Sequence, residues 1–77
     1  MNLKKNKLPK WFDGVIYEKG GIVVNPFSGE EYELNNIELS MYDLIKGAEF
    51  FNEWDLVKKS INWFRKNNPK AYMVLLD

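Results

Sequence analysis

Three short stretches in the first half of the chain have the residue pattern of β-strands. Two of them are rich in Val, Ile and Tyr, which favour extended backbone, and the third alternates charged and apolar side chains. Turns that contain glycine or proline separate the stretches, and in the first turn Gly20 and Gly21 are both free to adopt a positive φ. The sequence therefore predicts a three-stranded antiparallel meander, with strands at about 15–18, 21–25 and 30–34.

After the third strand the pattern changes to the period of an α-helix. Asn35 and Glu38 have the spacing of a capping box, in which each side chain bonds the backbone N–H of the other. Apolar residues then recur on one side of a helical wheel. A second amphipathic stretch follows and stops before Pro69, because proline cannot continue a helix. These patterns predict a main helix at 36–51 and a second helix at 53–66.

The C-terminal segment leaves two alternatives open. Asn68 as cap and Pro69 as first residue fit a short helix over 69–76, whereas the continuous apolar run there fits a buried strand nearly as well. The predicted fold class is therefore α+β: a three-stranded antiparallel meander followed by two helices and a short C-terminal helix or strand. We expect residues 11–77 to form this single domain and residues 1–10 to form a flexible basic arm.

The predicted core must provide most of the stability. A chain of 77 residues is small, and it has no cysteine, so no disulfide can contribute. The remaining source of stability is the burial of apolar side chains, either in the core or against a partner. The apolar faces of the predicted elements supply the side chains that we expect to be buried: Ile16, Val23, Phe27, Leu34, Met41, Leu44, Ile45, Ala48, Phe51, Val57, Ile61, Phe64 and Leu75.

The residue types that most often perform catalysis are missing. The absence of cysteine and histidine removes thiolate nucleophiles, the usual zinc ligands and the usual general base. Ser28, Ser40 and Ser60 remain as nucleophile candidates, but none has an evident base beside it. The glycine spacings match neither the dinucleotide nor the Walker phosphate loop. We therefore expect a protein that is not an enzyme and that binds no metal and no cofactor.

The sequence also bears on location. The basic N-terminal residues lack the apolar run of a signal peptide, and no stretch approaches the ~20 apolar residues of a membrane span. The absence of cysteine suits the cytosol. We expect a cytoplasmic protein without a membrane contact.

Charge is distributed in blocks, although the net charge is zero. Residues 1–12 carry four lysines and no acid, residues 13–55 carry ten acids against two lysines, and residues 56–77 carry five bases against one acid. This distribution favours attraction between the basic ends and the acidic middle within the fold. The alternative is that each block contacts a different partner.

Part of the last block forms one side of the second helix. Those basic residues are Lys58, Lys59, Arg65 and Lys66. Together with the lysine arm they can contact phosphates, and Trp63 or Trp11 offers a stacking surface, so nucleic-acid binding is the alternative function. An isoelectric point of about 6.3 and the acidic middle of the chain argue against it.

Two long segments carry a family resemblance: NPFSGEEYELNNIELSMYDLIKGAE and INWFRKNNPKAYMVLLD. From Leu8 to Asp77 the chain resembles a group of small uncharacterised proteins encoded by tailed bacteriophages of marine bacteria. The group shares an LPxWF-like start, an NPFSGE turn, an EL-S-YD helix and a WFR–NP–AYM–LLD ending. The resemblance implies a phage-infected bacterial cell as the setting, and it implies no activity or site.

The aromatic residues favour protein binding as the main function. Leu39, Tyr42 and Phe50 lie on the side of the main helix opposite its apolar face, where they either pack on the second helix or meet a partner. Trp11 and Phe12 are further anchor candidates, since large aromatic groups dominate interface hot spots. We therefore expect a small phage-type interaction domain that binds a host protein or forms a homodimer.

Overall fold

The computed structural model describes residues 7–77, which form a two-stranded sheet and three helices. The strands are antiparallel: β1 (Gly21–Val24) and β2 (Glu31–Leu34). The helices are α1 (Asn36–Phe50), α2 (Trp54–Asn67) and α3 (Pro69–Leu75). The α+β class is confirmed, and the first two helices begin and end within one residue of their predicted bounds.

The first predicted strand, 15–18, is not a strand in the structure. The backbone N–H of Tyr17 donates to Oγ of Ser40 at 2.9 Å, and its C=O accepts from Nδ2 of Asn36 at 3.2 Å. These bonds tie the segment to the first turns of α1, so the peptide groups of Tyr17 are not free to join a sheet. The predicted three-stranded meander is therefore corrected, within the described residues, to the two-stranded hairpin of β1 and β2.

The glycine turn before β1 also differs from the prediction. Neither Gly20 nor Gly21 has a positive φ, whereas Gly29 does, at 79°. Glycine is required at position 20 because there is no space for a side chain. A Cβ atom there would lie 2.0 Å from O of Leu34 and 2.8 Å from Cα of Asn35. The chain passes directly against the end of β2 at this point, where only a hydrogen atom fits.

The register of the hairpin decides which of its side chains face the core. Val23 lies opposite Tyr32, and both are half-buried on the inner face, where Leu34 is fully buried. The outer face is exposed, and it combines apolar residues of β1 with acidic residues of β2: Ile22, Val24, Glu31 and Glu33.

Asn25 holds the turn of the hairpin and joins it to α3. Its Oδ1 accepts from the backbone N–H of Phe27 at 2.8 Å, as in an Asx turn, and its Nδ2 donates to the C=O of Val74 at 2.9 Å. The side chain of Phe27 projects from this turn and is 97% exposed.

The predicted capping box is confirmed, and it also links two helices. Asn35 Oδ1 accepts from the N–H of Glu38 at 2.8 Å, and the Glu38 carboxylate accepts from the N–H of Asn35 at 3.0 Å. The other oxygen of this buried carboxylate accepts from Nδ2 of Asn68 at 3.1 Å. Asn68 Oδ1 in turn caps α3 by accepting from the N–H of Ala71 at 3.1 Å. Of the two C-terminal alternatives, the helix is confirmed.

Most of the predicted core is buried between α1, α2, α3 and the inner face of the hairpin. Ala71 joins it although it was not predicted, and Val23, Leu44 and Ile61 are half-buried. The predicted arm at 1–10 falls partly outside the described residues, but Leu8 packs against the core. The confirmed core residues are Leu34, Met41, Ile45, Ala48, Val57, Phe64 and Leu75.

Three predicted core residues are wrong, because Ile16, Phe27 and Phe51 are exposed. Ile16 was assigned to the strand that does not form, and Phe27 lies in the hairpin turn rather than at its inner face. Phe51 is the C-cap of α1, with φ −96° and ψ 9°, so the helical wheel no longer describes where its side chain points.

Candidate interaction surface

The turn between α1 and α2 is a hydrogen-bonded Schellman motif. Asn52 has a positive φ of 59°, and its N–H donates to the C=O of Glu49 at 3.1 Å. The N–H of Glu53 donates to the C=O of Ala48 at 2.8 Å. Asparagine tolerates this left-handed conformation better than most residues with a side chain. The residues on both sides of the turn are therefore held in defined positions.

Large aromatic side chains lie exposed on both sides of this turn. Phe50 is 80% exposed and Phe51 is 70% exposed, and their rings contact each other edge to face with centroids 5.2 Å apart. Trp54, the first residue of α2, is 58% exposed. Single exposed apolar residues are ordinary, but three large aromatic residues around one turn form a patch.

An apolar hollow of about 290 Å³ adjoins Phe51. A Cβ atom at Gly47 would meet no atom within 4 Å, so the glycine leaves the hollow open on the side of α1. A second hollow beside Trp54 shares Glu53 and Leu56 with the first. The apolar lining of the first hollow comes from three segments of the chain: Val15, Leu44, Gly47, Ala48, Phe51 and Leu56. We call Val15, Phe50, Phe51 and Trp54, together with the first hollow, the corner surface.

The charges that line the two hollows are all negative. Asp13, Asp43 and Glu53 line the first hollow, and Glu53 and Asp55 line the second. All four side chains are exposed, and within the described part of the chain no Lys or Arg lines either hollow. The corner surface therefore combines aromatic and apolar area with acidic groups.

Direct ion pairs do not neutralise the charge blocks in the described part of the chain. Lys46 and Glu49 form the one ion pair among residues 7–77, at 3.5 Å, and both belong to the acidic block. Lys46 also lies 5.6 Å from the ring centroid of Tyr42. Among residues 7–77, the acidic groups at the hollows form no direct ion pair.

The five residues that the sequence predicts to bind a partner fall into two groups. Trp11, Phe12, Leu39 and Tyr42 are half-buried and pack against the core, and the ring centroid of Tyr42 lies 6.5 Å from that of an aromatic residue of α2. Phe50 belongs to the corner surface. Packing within the chain accounts for the first four, and a binding role for them stays a prediction.

Sequence reasoning missed Val15, Phe51 and Trp54 as surface residues. Val15 fell in the predicted strand at 15–18, Phe51 in the predicted core, and Trp54 in the predicted second helix at 53–66. The adjacent pair Phe50 and Phe51 gave only a weak signal, since successive helical residues point about 100° apart and at most one of the two can lie at the centre of an apolar face.

The basic side of α2 is exposed at its four predicted positions: Lys58, Lys59, Arg65 and Lys66. Two of these cations already lie over aromatic rings of the same chain. Lys59 Nζ is 5.0 Å from the ring centroid of Trp11, and the Arg65 guanidinium is 5.6 Å from that of Tyr72. Such cation–π contacts orient a charged side chain along the protein surface. Trp63 is half-buried, which leaves only part of its ring open for stacking.

The serine hydroxyls are engaged in local hydrogen bonds. Ser40 and Ser60 are buried, and each donates to a backbone C=O of its own helix, at 2.7 Å and 2.6 Å. Ser28 is exposed and lies 3.5 Å from the Glu30 carboxylate. Among residues 7–77, no group of three or more acidic side chains has the arrangement of a metal site. What the corner surface exposes is aromatic area and negative charge.

Within the described part, none of the helices has the length and apolar character needed to cross a membrane. No protein family model, no curated protein and no solved structure matches this chain.

Proposed function

We propose that this protein is a non-enzymatic domain that binds another protein through the corner surface. The observation that carries the proposal is the exposure of Phe50, Phe51 and Trp54 around a hydrogen-bonded turn, beside an apolar hollow. Exposed apolar patches next to a groove mark interaction sites, and aromatic residues dominate the binding energy of interfaces. A rigid turn also lowers the entropy lost when these side chains are fixed by a partner.

The size of the patch fits the centre of an interface. The exposed parts of the three aromatic side chains amount to roughly 400 Å², at 150–250 Å² for each whole side chain. A standard interface buries about 800 Å² on each partner. The aromatic residues therefore supply about half of that area, and the surrounding acidic groups can supply the polar rim.

We extend the proposal to a bacteriophage setting, in which the partner is a host protein. The support is the resemblance of the NPFSGE, EL-S-YD and WFR–NP–AYM–LLD segments to small phage-encoded proteins. A small chain that acts by covering a surface of a host protein needs a preformed apolar patch, and the corner surface is one.

The first test is the double substitution Phe50→Ser with Phe51→Ser. Because both side chains are largely exposed, the free energy of unfolding should change by no more than about 0.5 kcal/mol for each substitution. Affinity for the partner should fall at least about 100-fold, since two hot-spot residues are lost. The partner is first captured from host lysate and purified, and calorimetric titration then measures its affinity for both proteins.

Phe27→Ser is the matched control, because it makes the same chemical change at a 97% exposed side chain outside the corner surface. It should leave the affinity unchanged. Equal binding by the wild type and the double variant would contradict the proposal, and so would an equal loss in the control.

Nucleic-acid binding is the second candidate, and the exposure of four cations on one side of α2 is the observation that favours it. We expect no specific complex at physiological salt, because the acidic groups of the corner surface repel phosphates and two of the cations lie over rings of the chain. A mobility-shift titration with duplex and single-stranded DNA measures this. A complex that is lost on Lys58→Glu with Lys66→Glu would reverse the order of the two candidates.

A further inference from the structure

We infer that the partner presents a basic, amphipathic segment to the corner surface, with apolar side chains that enter the hollow beside Phe51 and Lys or Arg side chains around them. This inference rests on the proposed function and names the chemistry of the partner. It follows from the size of the hollow, from the charges that line it, and from the symmetry that a second copy would require.

The hollow is suited to side chains rather than to a separate small molecule. Its volume of about 290 Å³ lies at the lower limit of the ~300–1,000 Å³ typical of pockets that enclose small ligands. It is lined by aliphatic groups of Leu44, Ala48 and Leu56, and Gly47 leaves one side open. One or two apolar side chains on a partner backbone can enter such a hollow while the backbone stays outside.

The negative charge around the hollow favours a partner that carries Lys or Arg next to those apolar side chains. Asp13, Asp43 and Glu53 line the hollow, Asp55 lies at the adjoining one, and no base among residues 7–77 lines either. A partner with acidic groups there would meet like charge, whereas Lys and Arg would meet opposite charge.

The exposed aromatic residues of the corner surface also favour Lys and Arg on the partner. Lys and Arg have apolar stems that cover aromatic faces while their charged ends reach water or a carboxylate. A cation over an aromatic ring also gains a cation–π interaction. Phe51 and Trp54 expose ring surface and line the hollows together with the carboxylates, so one basic side chain can contact both.

A second copy of this chain is a poor occupant of the corner surface. Homodimers are mostly two-fold symmetric, so the same patch of each copy meets itself. A two-fold contact here would bring the carboxylates of Asp13, Asp43 and Glu53 towards those of the other copy without a base between them. Like charges placed together at an interface oppose association.

The experiment is a selection from a library of short random peptides displayed on phage, with four forms of the full chain as targets. These are the wild type, a reversed form (Asp13→Lys, Asp43→Lys, Glu53→Lys), a neutral form (Asp13→Asn, Asp43→Asn, Glu53→Gln) and the form with Phe50→Ser and Phe51→Ser. The substituted acids are exposed, and circular dichroism checks that each form is folded.

The wild type should enrich peptides in which apolar residues alternate with Lys or Arg. The neutral form should enrich apolar peptides without a charge bias, and the reversed form should enrich apolar peptides with Asp or Glu. A synthetic peptide from the wild-type selection should bind the neutral form at least about tenfold more weakly than the wild type. Its affinity for the wild type should also fall between about 0.05 M and 0.5 M salt, as screening increases.

Any other result overturns the inference, and it also shows whether the proposed function stands. Apolar peptides without a charge bias from the wild type would leave the function standing and reject the basic partner. Identical peptide pools from the wild type and the Phe50→Ser, Phe51→Ser form would reject both. A dimer in sedimentation that is lost in that same form would make a second copy the occupant, which rejects the basic partner alone.

Discussion

Replacing Phe64 with alanine should remove a large part of the stability of the protein. The Phe64 side chain is 0% exposed and packs with residues of β2, α1 and α3 in the core cluster. Substitutions of this kind cost about 3–5 kcal/mol, because burial is lost and a cavity remains. A chain of 77 residues is stable by about 4–12 kcal/mol, at 0.05–0.15 kcal/mol per residue. The loss therefore amounts to between about a quarter and the whole of that stability.

Urea unfolding followed by circular dichroism measures this effect. The control is Phe50→Ala, which makes the same change at a side chain that is 80% exposed, and its cost should be within about 0.5 kcal/mol. Equal unfolding midpoints for the two variants would contradict the difference in burial between Phe64 and Phe50 that the structure shows. A smaller slope for Phe64→Ala would instead indicate a more compact unfolded state.

Local signals account for the parts of the fold that the sequence predicted well. The capping box of Asn35 and Glu38 involves residues three positions apart, and so does the cap that Asn68 forms with Ala71. Such bonds depend on few neighbours, so their sequence patterns identify where α1 and α3 begin. The link from Glu38 to Asn68 spans 30 positions and has no such pattern.

The first strand was predicted wrongly because its fate depends on residues far away in the chain. Tyr17 has a strand-forming neighbourhood, but its N–H and C=O bond to Ser40 and Asn36, which are 23 and 19 positions away. β-strand propensity depends on the local sequence and does not include hydrogen-bond partners that are distant in the chain. Tertiary contacts with such partners override it. Ile16 is exposed as a consequence.

The candidate surface was predictable only in part, for a geometric reason. A helical wheel shows which residues of α1 share a side, but not what covers that side. Tyr42 and Phe50 both lie opposite the main apolar face, yet α2 covers Tyr42 and leaves Phe50 exposed. The wheel also assumes that the helix continues, and Phe51 lies where α1 ends. Both outcomes are decided where one element meets the next.

Gly20→Ala should destabilise the protein by about 3 kcal/mol, at the upper end of what overpacking costs. The added Cβ would lie 2.0 Å from O of Leu34, which is a backbone atom and cannot turn aside as a side chain can. Moving that backbone would shift buried Leu34 and also Asn35, which caps α1. The strain thus affects the end of β2 and the start of α1 together, and unfolding in urea should report it as a lower midpoint.

Gly47→Ala is the matched control, and its effect should have the opposite sign. Gly47 lies inside α1, and a Cβ atom there would meet no atom within 4 Å. Alanine in a helix is favoured over glycine by about 0.5–1 kcal/mol, so the variant should be more stable than the wild type by that amount. The same substitution therefore separates two roles of glycine, close approach of the backbone at Gly20 and an open groove at Gly47. If both variants were stabilised, residue 20 would not lie against β2, and the path of the chain into β1 would have to be revised.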